Sequence, residues 1–491
     1  MNPRTPVLVG VGQILNRIED LDDAFEPLEM MLQASLAAEK DTEVGRVLAE
    51  AQSVRVVRGI WGYENPAKVI AERIGAAGAE TVGTLIGGNQ NQAVINATSL
   101  DILNGDLDVA LITGAENGNS SIKARKAGIE LPATAARGKY DRIIGAEQKP
   151  EHHDFEVAKG IRQAIQVYPM YDNAIRHARG ETMSEHMDRV SGLWSRFNDV
   201  ALDNPNAWVR EKMTAEDIRT PSPSNRRISF PYTKFMNANM SVNMGAALIM
   251  CSVQKARALG IDEAKWIYPH AGVKGYDHFS ASVRDNFHTS PGIRFVARRL
   301  LEMTGTDVDD LATVDLYSCF PSAVQVAAAE YGLREDRPLT VTGGLTFGGG
   351  PLNNYVMHSI ARTVELLREI PGGRGLVTAN GGNLYKHVHG IYGNEPPERD
   401  FAVADVQAQI DALPARECVA QHAGDATIES YTVMYAGDDP AVAHVACRTP
   451  NGSRTWVNTT DPELMTAMTV EEFCGRPVTV AEDNERLTVH G

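Results

Sequence analysis

The chain is poor in cysteine, with five in 491 residues. Cys251, Cys319, Cys418, Cys447 and Cys474 are scattered and form no CxxC pair. That spacing signals neither a zinc site nor a disulfide framework. A sparse, odd-numbered set suits a reducing compartment, so a cytoplasmic location is expected. Positive charge is also short, since 47 Lys and Arg against 63 Asp and Glu leave a net charge of −16. Nucleic-acid binding needs a basic stripe, and none is present, so no nucleic-acid partner is expected. The one locally basic stretch, "RKAGIELPATAARGKYDR", is short and reads as a solvated loop or a place that meets an anionic ligand. No run of 18 apolar residues occurs, which excludes a helical membrane span. "MNPRTPVLVGVGQ" lacks the charged-then-apolar layout of a secretory signal. His152 and His153 are adjacent but sit in a polar loop without carboxylates at ligand spacing, so no metal is expected.

What is present is an ordinary globular composition, 43% hydrophobic and 22% charged, in a chain long enough for two or three domains. "PVLVGVG" (6–12) and "VALIT" (109–113) are continuous apolar runs, the pattern of parallel strands covered on both faces. Between them "TLIGGNQNQAVINA" (84–97) reads as a strand turning through two glycines into a helix. Ala93, Ala97, Leu100 and Leu103 mark one face of that helix, and Asn104-Gly105 stops it. The unit is a βαβ crossover. A comparable unit follows later: "ATVDLYSCF" (312–320) as strand and turn, then "PSAVQVAAAEYGL" (321–333) as a helix opened by proline and closed by Gly332. "GLVTANGG" (375–382) is another strand running into glycines. These read as two related α/β halves.

Residues 125–240 differ, being polar, partly helical ("MSEHMDRVSGLWSRFNDVAL") and loop-rich; an insertion of that size reads as a lid or binding segment. After "GNEPPERD" (393–400) come β-rich runs at 426–435, 441–449, 453–460 and 477–483 separated by turn signals. Successive short antiparallel strands suggest a small OB-like barrel, or a β-sandwich appendage.

"VLVGVGQ", "ILNGDLDVALITGAENGNS", "MNANMSVNMGAALIMCSVQKARALG", "DLYSCF" and "TGGLTFGGGPLNN" stand in the order found in thiolases. Over residues 5–392 the chain resembles the sterol-carrier-protein-2 thiolase-like branch, type 1. The resemblance implies an α/β thiolase fold: two doubly wound halves in α/β/α/β/α layers, a loop domain that helps hold coenzyme A, and often dimers. The implied organisation is a first half (1–124), a loop domain (125–244), a second half (245–395) and an added antiparallel β-barrel domain (396–491).

Thiolases place a nucleophilic cysteine at a helix N-terminus, where the helix dipole lowers its pKa. By resemblance that position falls on Gly88, or on Gly87 one residue earlier. The GHP histidine position falls on Gly350, the CxG cysteine position on Ala379 or Asn380, and the asparagine or histidine that helps form the oxyanion hole on Tyr317. Nucleophile, oxyanion donors and acid/base are thus absent together, while the glycines around them stay. Two readings of Gly87-Gly88 stand: a plain tight turn, or a thioester pocket lined by backbone N–H groups. Cys319 reads as a buried structural thiol. Tyr317 and His387 are the candidate catalytic groups for proton-transfer chemistry; Tyr317 is equally readable as a packing residue, and His387 as a surface histidine beside His389. Gly88, Asn89, Gly349, Gly381 and Asn243 are candidate ligand contacts, and Asn237 and Asn239 stand beside the last of these. No cofactor is expected beyond a coenzyme A thioester as ligand. Three functions remain open: a thiolase-like binder of acyl-CoA without thiolysis or Claisen condensation, a cysteine-independent acyl-CoA retro-aldolase, and an interaction scaffold that meets a protein partner through the C-terminal domain.

Overall fold

The computed structural model describes residues 1–145 and 152–490. Three sheets organise the chain. The first runs in the order Pro6–Leu15, Asn243–Ser252, Val109–Asn117, Ser53–Val56, Glu80–Thr84, Arg142–Ile144. The last four of these are mutually parallel. Pro6–Leu15, expected to be parallel, pairs antiparallel with Asn243–Ser252 instead. Its apolar run reports cover on both faces, and cover does not encode direction. Helix Pro27–Asp41 lies so close on this strand that a Cβ on Gly12 would collide with the Ala34 carbonyl oxygen. Asn243–Ser252 is buried at every position and supplies the small side chains that a sheet covered on both sides needs.

The second sheet runs Leu311–Asp315, Arg374–Gly381, Lys386–Gly393, Tyr268–Tyr276, Ala402–Asp405. Residues 402–405 lie beyond the boundary expected at 396, yet they form an edge strand of this core sheet. Helices Gln90–Asn104 and Tyr355–Arg368 sit between the two sheets and touch strands of both. Pro27–Asp41 and Pro66–Arg73 cover the outer side of the first sheet, and Pro291–Thr304 that of the second. Helix Gln90–Asn104 ends at Gly105, whose φ of +87° suits glycine. The face marked by Ala93, Ala97, Leu100 and Leu103 is its less buried one; Val94, Ile95, Thr98, Ser99 and Ile102 are more deeply buried. A helix walled on two sides has no single apolar stripe for a period to find.

The inserted region contributes helices Ala164–Arg179 and Met183–Asp203; the second opens with a capping box of Thr182 and Glu185. It then forms a small hairpin of Arg227–Ser229 and Tyr232–Thr233. The C-terminal sheet runs Arg454–Thr459, Asp439–Arg448, Gly424–Ala436, Pro477–Val480, Leu487–Val489, all antiparallel. Among the described residues no pairing closes it into a barrel. The strand Gly424–Ala436 also accepts the hairpin strand Arg227–Ser229, so the inserted region and the C-terminal sheet share an edge.

This domain has its own apolar cluster and is clamped to the core by polar contacts. Arg454, fully buried, donates to the carbonyls of Ala281, Ser282 and Arg284 at 2.7–2.9 Å and pairs with Glu429 at 2.7 Å. No helix among the described residues is long and apolar enough to cross a membrane.

Candidate functional site

The strand Glu80–Thr84 leads through Gly87 and Gly88 into helix Gln90–Asn104, as the glycine pair suggested. Gly87 has φ +150°. Gly88 is needed for a different reason, which is space. A Cβ there would meet the Tyr317 hydroxyl at 2.5 Å, its Cζ at 3.0 Å, and the Asn380 backbone carbonyl more closely still. No side chain fits at position 88 unless those groups move.

Gly88 opens onto a cavity of about 820 Å³. Each part of the fold contributes a wall. Ile86 to Gly88 come from the first half, Tyr317, Cys319 and Phe320 from the turn after Leu311–Asp315. Gly350 to Asn353 and Asn380 to Asn383 supply further walls from the second half, and Arg162 to Tyr168 from the inserted region. The walls are mostly apolar, and the polar groups are held in place. Tyr168 stacks on Phe320 with ring centroids 4.4 Å apart. Its hydroxyl donates to the Gly382 carbonyl at 3.0 Å and accepts from the Asn380 amide at 3.0 Å. Tyr171 donates to the next carbonyl, that of Asn383, at 3.1 Å.

The Tyr317 backbone N–H donates to the Thr378 hydroxyl at 2.8 Å, and its ring meets Tyr355 edge-on at 5.7 Å. Burial raises the Tyr317 hydroxyl well above the usual tyrosine range. At neutral pH it is therefore a hydrogen-bond donor and not a base. Burial likewise pushes the Cys319 thiol up to about 12, which disfavours its thiolate. None of the other four cysteines lines the cavity.

Among the sequence candidates, Gly88, Gly350, Gly381 and Tyr317 border this cavity. Ala379 does not; it is fully buried in the core, and the strand's alternation presents Asn380 to the cavity instead. His387 is also absent from the walls. It is fully buried, with Nε2 3.3 Å from Asp277 and 3.4 Å from the Ser290 hydroxyl. Asp277 is held down to about 2, burial being outweighed by His387 and Arg284 together with the Ser290 hydroxyl. Ser290 caps helix Pro291–Thr304, so this Asp-His-Ser cluster joins a strand to a helix start.

Asn243 ties Asn16 to Ser120 by hydrogen bonds of 2.8–3.0 Å and does not reach the cavity. Gly349 has φ +112°, and a Cβ there would run into the Met244 sulfur; it too is outside the walls. Asn89 borders a separate cavity on the other side of the helix start. His152 does line the main cavity and pairs with Glu156 at 3.2 Å, so a carboxylate lies four residues on after all. Among the described residues no group of three or more potential ligands could hold a metal ion.

The walls formed by Ile165, Asn237, Ala238 and Met240 continue into a second opening of about 770 Å³. Arg17, Arg210, Arg226 and Lys234 line it, together with Glu211. None of the four cations has an ion-pair partner among the described residues. In a chain of net charge −16 this is a local concentration of positive potential. Asn237 and Asn239, noted from sequence, lie in this mouth; the four cations are spread over more than two hundred positions and leave no motif to find.

Two mixed sheets enclosing two buried helices, with loops of both halves meeting at one helix start, define a thiolase fold. Solved structures agree. An acetyl-CoA acetyltransferase from Syntrophomonas wolfei superposes with TM-score 0.57 at 14% identity, covering 80% of this chain and 99% of that one. The Ltp2-ChsH2(DUF35) aldolase gives 0.60 at 19%, covering 80% and 98%. A monomeric SCP2-thiolase-like protein type 1 from Mycobacterium smegmatis matches over 100% of both chains, with 32% identity and TM-score 0.85. Residues 405–485 match the model of the thiolase-like protein type 1 additional C-terminal domain. The chain belongs to the SCP2-thiolase-like protein type 1 family. No curated protein matches it.

Proposed function

We propose that this protein binds a coenzyme A thioester in the cavity facing Gly88 and does not carry the acyl group on an enzyme thiol. One observation bears the reading: the volume a cysteine would need at position 88 is taken by the Tyr317 hydroxyl and the Asn380 carbonyl. The resemblance assigns Gly88 the nucleophile's place, so the loss there is matched by neighbours that fill it. Three features support a thioester ligand. The apolar walls suit an acyl chain. The cationic mouth of Arg17, Arg210, Arg226 and Lys234 suits phosphates. The exposed Ile60, Ile86 and Met240 border the cavity where a ligand would cover them.

Coenzyme A is expected to raise the melting temperature, because a ligand that binds only the folded state stabilises it. Incubation with a 3-ketoacyl-CoA is expected to leave the protein mass unchanged and to yield no thiolysis. Stoichiometric acylation of any cysteine would overturn the proposal.

A second reading is favoured by Tyr317 itself. A hydroxyl kept protonated by burial at the cavity wall can donate to a thioester oxygen and stabilise the enolate formed in a retro-aldol cleavage. Under this reading a 3-hydroxyacyl-CoA is cleaved to a carbonyl compound and a shorter acyl-CoA. Tyr317→Phe then abolishes turnover and leaves coenzyme A binding intact. Unchanged turnover in Tyr317→Phe removes that role.

A further inference from the structure

The start of helix Gln90–Asn104 separates two cavities. Gly88 faces the main one, whereas Asn89 and Gln90 face another of about 530 Å³. Tyr276, Phe279 and Val283 wall this second space, and Gln407 and Asp411 of the helix Gln407–Asp411, with Ala415 beyond it, complete the wall beside them.

Its polar groups are unmatched. Asn89 is fully buried and Gln90 is 4% exposed. Among the described residues neither amide atom of Asn89 has a hydrogen-bond partner, and neither has the Gln90 side-chain oxygen. The Tyr276 hydroxyl leans toward the Asn89 amide without completing a bond of normal geometry. Across the space, His278 Nε2 is buried and unpartnered as well. A buried polar atom left without a partner is unfavourable by about 1–3 kcal/mol. Several at one cavity wall form a cluster that a bound molecule would satisfy.

Charge decides what kind of molecule. Asp277, Asp405 and Asp411 line the space and oppose an anion. Lys274, which pairs with Asp405 at 3.1 Å, together with Lys386 and the positive end of the helix, opposes a cation. The aromatic walls favour a flat body.

We propose that this cavity is a second small-molecule site, separate from the one facing Gly88, for a neutral planar molecule bearing an amide-type donor and acceptor. Asn89 and Gln90 pair with the donor and acceptor, and Tyr276 and Phe279 flank the ring. The site is built largely from the second sheet and the first residues of the added C-terminal domain, so it does not depend on the acyl-CoA reading.

Benzamide is the probe, with benzoate and benzylamine as charged comparators. Ligand-observed NMR is expected to show binding of benzamide above both comparators. Val283→Trp and Ala415→Trp fill the space from two adjoining segments, joined where the Arg416 N–H donates to the Val283 carbonyl at 2.9 Å, and are expected to abolish it. Ala415 is exposed, so its variant keeps the fold even where the inner one does not. Gln90→Leu is expected to weaken binding about tenfold, and Tyr317→Phe, which alters the other cavity, to leave it unchanged. The proposal is overturned if benzamide does not bind, if folded Ala415→Trp binds it as tightly as wild type, or if a charged comparator binds equally well.

Discussion

Two helices run between the core sheets, and their first turns are chemically alike but differently engaged. Tyr355–Arg368 begins after Asn353 and Asn354. Their amide nitrogens donate to the Arg58 and Gly114 carbonyls, both at 2.7 Å, which binds the second half to the first. Gln90–Asn104 begins after Asn89. There Asn91 and Gln92 are engaged, by the Asn353 carbonyl and the Tyr392 hydroxyl, while Asn89 and the Gln90 oxygen are not. One helix start is therefore fastened through its amide nitrogens, the Asn354 oxygen alone staying unpartnered, and the other keeps more polar groups in reserve beside two cavities. Buried amides are distinguished by their partners and not by their residue type.

Acid titration separates the two helices most sharply. His358 lies fully buried on the second helix, burial lowering it to about 3, with Nδ1 2.8 Å from the Gln13 oxygen. An unfolded histidine takes up its proton near pH 6.5. As pH falls the unfolded chain gains that proton first, so stability present above pH 6.5 is lost progressively toward pH 3. The first helix carries no histidine. Urea unfolding is expected to show wild type losing about 3 kcal/mol more than His358→Gln between pH 6.5 and pH 4. Equal slopes would remove His358 from this role.

Next in size is Asn354→Ala, which leaves the buried Gly114 carbonyl without its side-chain donor and is expected to destabilise by about 2 kcal/mol. Tyr168→Phe removes the donor to Gly382 and the acceptor for Asn380, at about 1 kcal/mol in chemical denaturation. Smallest is Asn89→Ala, expected to cost no more than about 0.5 kcal/mol or to stabilise, because the loss of packing is offset by removal of two unpartnered buried polar atoms. If Asn89→Ala is as damaging as Asn354→Ala, the contrast between the two helix starts does not hold.

The elements themselves were largely legible. The glycine pair at 87–88, the proline at 321 and the glycines at 105 and 332 mark their turns, openings and stops by local chemistry that tertiary packing did not override. Direction and facing were not. Pro6–Leu15 reads as buried from sequence, but only its partner Asn243–Ser252 makes it antiparallel. The choice between Ala379 and Asn380 is a matter of strand phase, and a single residue of phase exchanges core for cavity. His387 beside a glycine bend looked poised for chemistry, but its strand turns it toward Asp277. The cationic mouth assembles Arg17, Arg210 and the hairpin ends Arg226 and Lys234 from three separate segments, and no short window of sequence contains it.

The hairpin shared with the C-terminal sheet has a further consequence. Arg226, Ile228 and Lys234 frame the cationic mouth, and the strand among them is anchored on Gly424–Ala436. The appended domain thus serves as a door frame for the core. A truncation before residue 405 would leave every residue facing Gly88 in the chain and yet free the hairpin that borders the cationic mouth.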